Sequence, residues 1–200
     1  MLVNRNKKII FVRIPKTACT SIGVALLNSN QGWENIHCYI NQSVNTYHLG
    51  THALNNYSEF KDYEIVGVSR NPWERMVSMI SFYWARTLEI IKNPMDWSDE
   101  DVSWGKQKNI QILNQGFKEF LKYDHEATRT CCSWISDEYS ARWFRFEKLD
   151  ELENYFEVEL PVINATAHLK YTEYYDDEAI EIVRKIHEKD IIRFNYSYAQ

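Results

Sequence analysis

Two short apolar runs constrain this chain more than any other feature. Ile9-Ile10-Phe11-Val12 and Ile65-Val66-Gly67-Val68 lack the in–out alternation of a half-buried strand. Runs of this kind belong to strands covered on both faces, as in a parallel sheet layered between helices. Each run gives way to a polar turn and then to an amphipathic stretch. After the first, Pro15 ends the strand, and Thr20 or Ser21 stands where a cap is needed for a helix carrying Ile22, Ala25 and Leu26. After the second, Asn71 and Pro72 combine a favoured N-cap with a favoured first helical residue. Glu74, three residues after Asn71, predicts a capping box. The helix should run to about residue 92, with Val77, Ile80, Trp84 and Leu88 on one face.

The same alternation continues. Residues 93–107 read as irregular and carry Trp97 and Trp104, and a helix follows over 110–122. Trp143-Phe144-Arg145-Phe146 reads as a third strand, with a helix over 149–156 behind it. A last helix is expected from Asp176 and Asp177, whose charges suit a helix N-terminus, to about Asp190. The fold class is therefore α/β: a single domain over 1–200, with a mainly parallel sheet flanked by helices.

Composition limits the partners. Lys and Arg number 23 against 28 Asp and Glu, a net charge of −5. Such a chain has no broad attraction to nucleic acid, so an anionic ligand must be held by a local cluster of donors. No apolar run is long enough to span a bilayer and no signal peptide is evident, so a cytoplasmic protein without a membrane partner is expected. Cys19, Cys38, Cys131 and Cys132 match no zinc spacing and read as reduced thiols. No metal site is expected.

Both strand-turn-helix units place polar side chains at a strand's C-terminal end, the edge where open α/β sheets bind ligands. The first, Pro15-Lys16-Thr17-Ala18-Cys19-Thr20-Ser21, sets a lysine and three hydroxyls at a helix start, which suits a phosphate-sized anion. The second, Arg70-Asn71-Pro72 with Arg75 and Ser78, offers further anion donors one helical turn apart. A solvated turn with an ordinary helix cap explains the first unit taken alone; an Arg75 paired with a surface acid and a Ser78 that merely packs explain the second.

Together they resemble a known family. Residues 15–21 resemble the 5′-phosphosulfate loop of sulfotransferases, P-K-T-G-G-T-S, and Arg70-Asn71-Pro72 with Arg75 and Ser78 resembles their 3′-phosphate motif, R-N-P-x-x-R-x-x-S. Arg145-Phe146-Glu147-Lys148-Leu149 resembles the R-F-E-x-L segment, and Asn164, residues 174–178, 190–194 and Tyr196 resemble the C-terminal block. The nearest branch is the carbohydrate sulfotransferase-like group. The resemblance implies a P-loop nucleotide-kinase-like fold and 3′-phosphoadenosine 5′-phosphosulfate (PAPS) as sulfuryl donor to a hydroxyl or amine acceptor, a carbohydrate or a small metabolite. It implies that Lys16 contacts the 5′-phosphosulfate and stabilises the leaving oxygen. Pro15, Thr17, Ala18, Cys19, Thr20 and Ser21 would hold the same group, and Arg70 and Ser78 the 3′-phosphate. Ala18-Cys19 departs from the family's glycine pair; a Cβ is costly there if the loop needs positive φ. The transferred group carries less charge than a phosphoryl group, so no metal is called for.

A base must take the acceptor's proton. The family's base usually lies between the two donor motifs, where His48 and His52 stand in Tyr47-His48-Leu49-Gly50-Thr51-His52. Thr51 is placed to cap a short helix with His48 in the loop before it, which makes His48 the first choice, His52 the second and His37 the third. An unperturbed histidine titrates near neutrality, as a general base should. Cys19 as a nucleophile, and the structural role of any of these histidines, are the competing readings. A P-loop nucleotide kinase is a further alternative, although Pro15 precedes Lys16 and G-x-x-x-x-G-K-[ST] is absent. So is a binding module that has lost the reaction. Acceptor identity and oligomeric state are not legible.

Overall fold

Among the described residues the sheet has five strands in the order β3-β1-β2-β4-β5, and its parallel half carries the two turns singled out in the sequence. The strands are β1 Leu2–Asn4, β2 Ile9–Phe11, β3 Trp33–Asn35, β4 Glu64–Ser69 and β5 Ala141–Arg145. The computed structural model describes residues 1–36, 48, 50–54, 58–93, 116–122, 129–163 and 165–199. Pairings β2–β4 and β4–β5 are parallel; β1 runs antiparallel to both β2 and β3. The sheet is thus mixed rather than mainly parallel. The expectation missed β1 and β3 because each is three residues long and set among polar neighbours, too short for a periodic signal.

The helices are α1 Cys19–Asn28, α2 Pro72–Lys92, α3 over 116–122, α4 Leu149–Phe156, α5 Asp177–Ile186 and α6 Glu188–Phe194. Alternate strand residues bury on opposite faces, the period-two rule at work. Val3, Ile10, Val12 and Ile65 join Ile14, Ala53, Leu54, Phe60, Trp134 and Ile135 on one side. Leu2, Ile9, Phe11, Val66 and Val68 join Ile22 and Leu26 of α1, and Leu152 and Phe156 of α4, on the other. The run that read as continuous apolar sequence is therefore a strand buried on both faces. A third cluster packs Trp73, Met76, Val77 and Ile80 of α2 against Phe120, Ala179 and Val183.

Several local expectations change in detail. The strand expected over 143–146 is Ala141–Arg145. Val77 and Ile80 are buried, but Leu88 is 55% exposed, and Thr87 and Ile90 take the inner face of the last turns. The final helix does not continue to Asp190: it breaks at His187, and α6 begins one residue later. Asp176 is its N-cap, accepting from the Ala179 amide at 2.9 Å. Of the helix expected over 110–122, residues 110–115 lie outside the described residues, as do Trp97, Trp104 and Asn164.

Candidate functional site

The end of β2 leads into a turn that folds on itself. The Thr17 hydroxyl donates to the Ile14 carbonyl at 2.9 Å, and Thr17 is fully buried. Lys16 and Ala18 both take left-handed backbone conformations, with φ of 64° and 61°. The position that departs from the family's glycine is therefore one where positive φ is in fact adopted, at a cost only glycine escapes. Ala18 itself is the N-cap of α1, with no side-chain cap. Neither Thr20 nor Ser21 caps the helix as the sequence suggested, because the helix starts earlier, at Cys19. Ser21 lies within its first turn, and its hydroxyl accepts from the Ile163 amide at 3.3 Å. An N-terminus without a side-chain cap suits an anion.

The end of β4 is organised around Asn71. Its side chain accepts from the Trp73 and Glu74 amides, at 3.1 and 3.5 Å. The reciprocal half of the expected capping box is replaced: the Asn71 amide donates to Glu147 at 2.7 Å, and Glu74 instead accepts from Arg70 at 3.1 Å. Arg70 is 7% exposed and stacks its guanidinium 3.9 Å from the centre of the Phe146 ring. Its Nη1 donates to the Lys16 carbonyl at 3.1 Å, which brings the two motifs into one site. Its Nε is buried without a hydrogen-bond partner among the described residues. Ser78, also buried, lies on α2 two turns beyond Arg70.

Lys16 extends over the Phe82 ring, with Nζ 4.3 Å from its centre. Burial, and then the Arg70 charge, lower its pKa to about 8. Burial lowers that of Arg70 too, with Glu74 opposing. Two cations held together with little water are a costly arrangement. A bound dianion would relieve it. Cys19 has the opposite character: it is 5% exposed and burial pushes its thiol upward, which argues against a nucleophilic thiolate.

Arg75, grouped with Arg70 and Ser78 in the sequence as an anion donor, is completely buried. Its Nε donates to the Pro15 carbonyl at 2.9 Å and its Nη1 to the Arg129 carbonyl at 2.7 Å. It braces the loop from below rather than facing a ligand. The R-F-E segment also gains a purpose: Phe146 backs Arg70, and Glu147 binds the Asn71 amide. No periodicity announces such support; only the resemblance of residues 145–149 to a segment of the same family hints at it. Trp73 is core at 1% exposure, and its Nε1 donates to the Ile180 carbonyl.

His48 Nδ1 lies 2.8 Å from the carbonyl of Arg13, at the start of the loop. A carbonyl only accepts, so Nδ1 carries the hydrogen and Nε2 the lone pair. The Trp134 ring stands edge-on to the imidazole, 6.3 Å between centres. Burial drives the His48 pKa down to about 4, with the Arg13 carbonyl opposing, so a titration near neutrality does not apply. His52 is exposed on the single 3₁₀ turn Thr51–Leu54. Thr51 forms the start of that turn, but its hydroxyl accepts from the Ser136 amide at 2.7 Å. His37 lies outside the described residues. Among the described residues, no group of three or more His, Cys, Asp or Glu side chains is arranged to hold a metal, and no helix is long and apolar enough to cross a membrane.

Compared with known proteins, residues 1–159 match the model of a family described as the sulfotransferase family. No curated protein and no solved structure matches the chain.

Proposed function

The chain belongs to the sulfotransferase family, and from that premise we propose that it transfers a sulfuryl group from PAPS to a hydroxyl of a carbohydrate or small-metabolite acceptor, or to an amine. The proposal extends to a single domain over 1–200 with a P-loop nucleotide-kinase-like arrangement of its donor loop. One observation carries it: two cations, the half-buried Lys16 and the buried Arg70, come from separate strand ends and are joined by the bond from Arg70 to the Lys16 carbonyl. A nucleotide with anionic groups at both its 5′ and 3′ positions matches such a pair, and charge-assisted donors are what select it.

In this reading the loop 15–21 and the start of α1 receive the 5′-phosphosulfate, while Arg70 and Ser78 take the 3′-phosphate. The unpartnered Nε of Arg70 supplies a donor for that purpose. The acceptor oxygen attacks sulfur in line, the bond from sulfur to the 5′-phosphate oxygen breaks, and the acceptor proton passes to His48 Nε2. Lys16 Nζ stabilises the negative charge left on the phosphate oxygen. The carbonyl of Arg13 fixes the histidine tautomer that makes Nε2 the acceptor of the proton. His52, exposed, takes no part.

Calorimetry tests the donor assignment. Adenosine 3′,5′-bisphosphate should bind about tenfold to a hundredfold more tightly than AMP, the worth of a buried charge-assisted contact. Arg70→Ala should erase the preference, and Lys16→Ala should chiefly lower turnover. Equal affinities in the unmodified protein would remove the 3′-phosphate site.

A further inference from the structure

Asp190 lies in α6, beyond the part of the chain that the family model covers, and is 1% exposed. Its carboxylate accepts from two successive backbone amides: Oδ2 from Cys131, and Oδ1 from Cys132 at 2.9 Å. Burial alone would raise its pKa, but His187 and these two amides outweigh it, and the group is held below the usual carboxylate range. An anion is thus fixed by the amides of a strap, residues 129–136. The neighbouring His187 Nδ1 is 3.8 Å away, and burial lowers the His187 pKa.

That strap reaches His48. Arg75 ties its start, through the Arg129 carbonyl, to the Pro15 loop. Its middle is the 3₁₀ turn Cys131–Trp134, which Thr130 caps through the Ser133 amide. Its end donates from the Ser136 amide to Thr51. Trp134 stands against the His48 ring. Gly50 lies so close to the same residue that a Cβ there would come within 2.9 Å of the Trp134 carbonyl. His48 therefore meets two elements, the Arg13 carbonyl and the strap. The strap is held by a side chain from the C-terminal helices.

We infer that Asp190 is a positioning residue for His48: it holds the strap whose Trp134 presses the imidazole onto the Arg13 carbonyl and so selects the Nδ1–H tautomer. The consequence for turnover rests on the reading of His48 as the base; the consequence for the tautomer does not.

The experiment is long-range ¹H–¹⁵N correlation of the histidine rings, with His48 assigned by its loss in His48→Gln. The unmodified protein should show His48 as the Nδ1–H tautomer. Asp190→Asn keeps the side-chain shape but turns one acceptor into a donor facing an amide N–H. It should give a mixture of tautomers and a turnover about 10²-fold lower, the scale of a small misplacement. Affinity for adenosine 3′,5′-bisphosphate should stay within about twofold of the unmodified value, because Asp190 touches none of the donor-binding residues. A cooperatively unfolding Asp190→Asn protein with the His48 tautomer intact overturns the inference. A tautomer shift supports it even if no sulfuryl transfer is found, in which case the activity reading fails alone. Should the variant not fold, native-state hydrogen exchange of the unmodified protein decides. The Cys131 and Cys132 amides and the His48 ring N–H should open in one cooperative unit, and separate denaturant dependences refute the coupling.

Discussion

The pH dependence of turnover tests the site most directly, since both proposed catalytic groups are displaced from their ordinary values. Burial holds His48 down at about 4 and Lys16 at about 8. The base must be neutral and the lysine charged. Activity therefore requires a pH above the His48 value and below that of Lys16. With a pKa of about 4, His48 is about 99% neutral at pH 6, whereas an ordinary histidine would be only about a quarter neutral. Between pH 6 and 8 the unshifted group would give about a fourfold rise in rate from the base alone, and the buried one essentially none. At the alkaline end the signs reverse. Charged Lys16 falls about tenfold between pH 7 and 9 if its pKa is about 8, but an ordinary lysine would remain almost fully charged.

The assay is kcat/KM for the donor against pH, because that ratio reports groups of the free enzyme. A plateau should run from about pH 5 to about pH 7.5, with a fall on each side. Arg70→Met removes a charge that depresses Lys16, so the alkaline limb should move to higher pH. It should move only in part, burial being the larger cause. A rate climbing through pH 6–7 would refute the buried, carbonyl-bound His48 as base. An alkaline limb absent up to pH 10 would refute the desolvated Lys16.

Further outcomes follow from the same geometry. His48→Ala should lower turnover by about 10²–10⁴-fold with adenosine 3′,5′-bisphosphate affinity nearly unchanged, while exposed His52→Ala should have little effect; steady-state rates and calorimetry compare the two. Donor turnover should persist in EDTA, and loss restored by Mg²⁺ would point to phosphoryl transfer instead. Ala18→Gly relieves a left-handed backbone costing about 1–2 kcal/mol, against about 0.4–1 kcal/mol of added unfolded-chain freedom. Tm should rise by about 2 °C, and a fall would show that the loop bears no strain at this position. Stability should drop as pH falls from about 6.5 towards 4: unfolded His48 and His187 take up protons there that their buried forms refuse, and chemical denaturation at several pH values measures the slope.

What was legible in the sequence depended on local periodicity. The helix from Pro72 to Lys92 could be read because Asn71 caps it, Pro72 starts it and its apolar spacing is sustained; Leu149–Phe156, which no side chain caps, was legible from the spacing of Leu149, Leu152 and Phe156 alone. Strands β1 and β3 carried no such signal, and without them a mixed sheet read as a parallel one. The cap of α1 was misplaced because Thr20 and Ser21 are good capping residues, whereas the true boundary depends on left-handed conformations at Lys16 and Ala18 that residues other than glycine rarely announce. The donor motifs were legible as spacing, but their supports were not. Arg75 reaches Pro15 across 60 residues and Arg129 across 54, and Asp190 reaches Cys131 across 59. Pairings at such separations leave no periodic trace in one chain. They also explain how a loop with two strained residues and two crowded cations persists. The strain and the desolvation fall on residues 16–18 and 70, the residues proposed to receive the donor. The backbone carbonyls and amides that hold them in place are satisfied by buried charges in α2 and α6, distant in sequence and set behind the loop. The proposed site is thus preorganised by the far parts of the chain, and the residues assigned to the donor are those least able to hold their own positions.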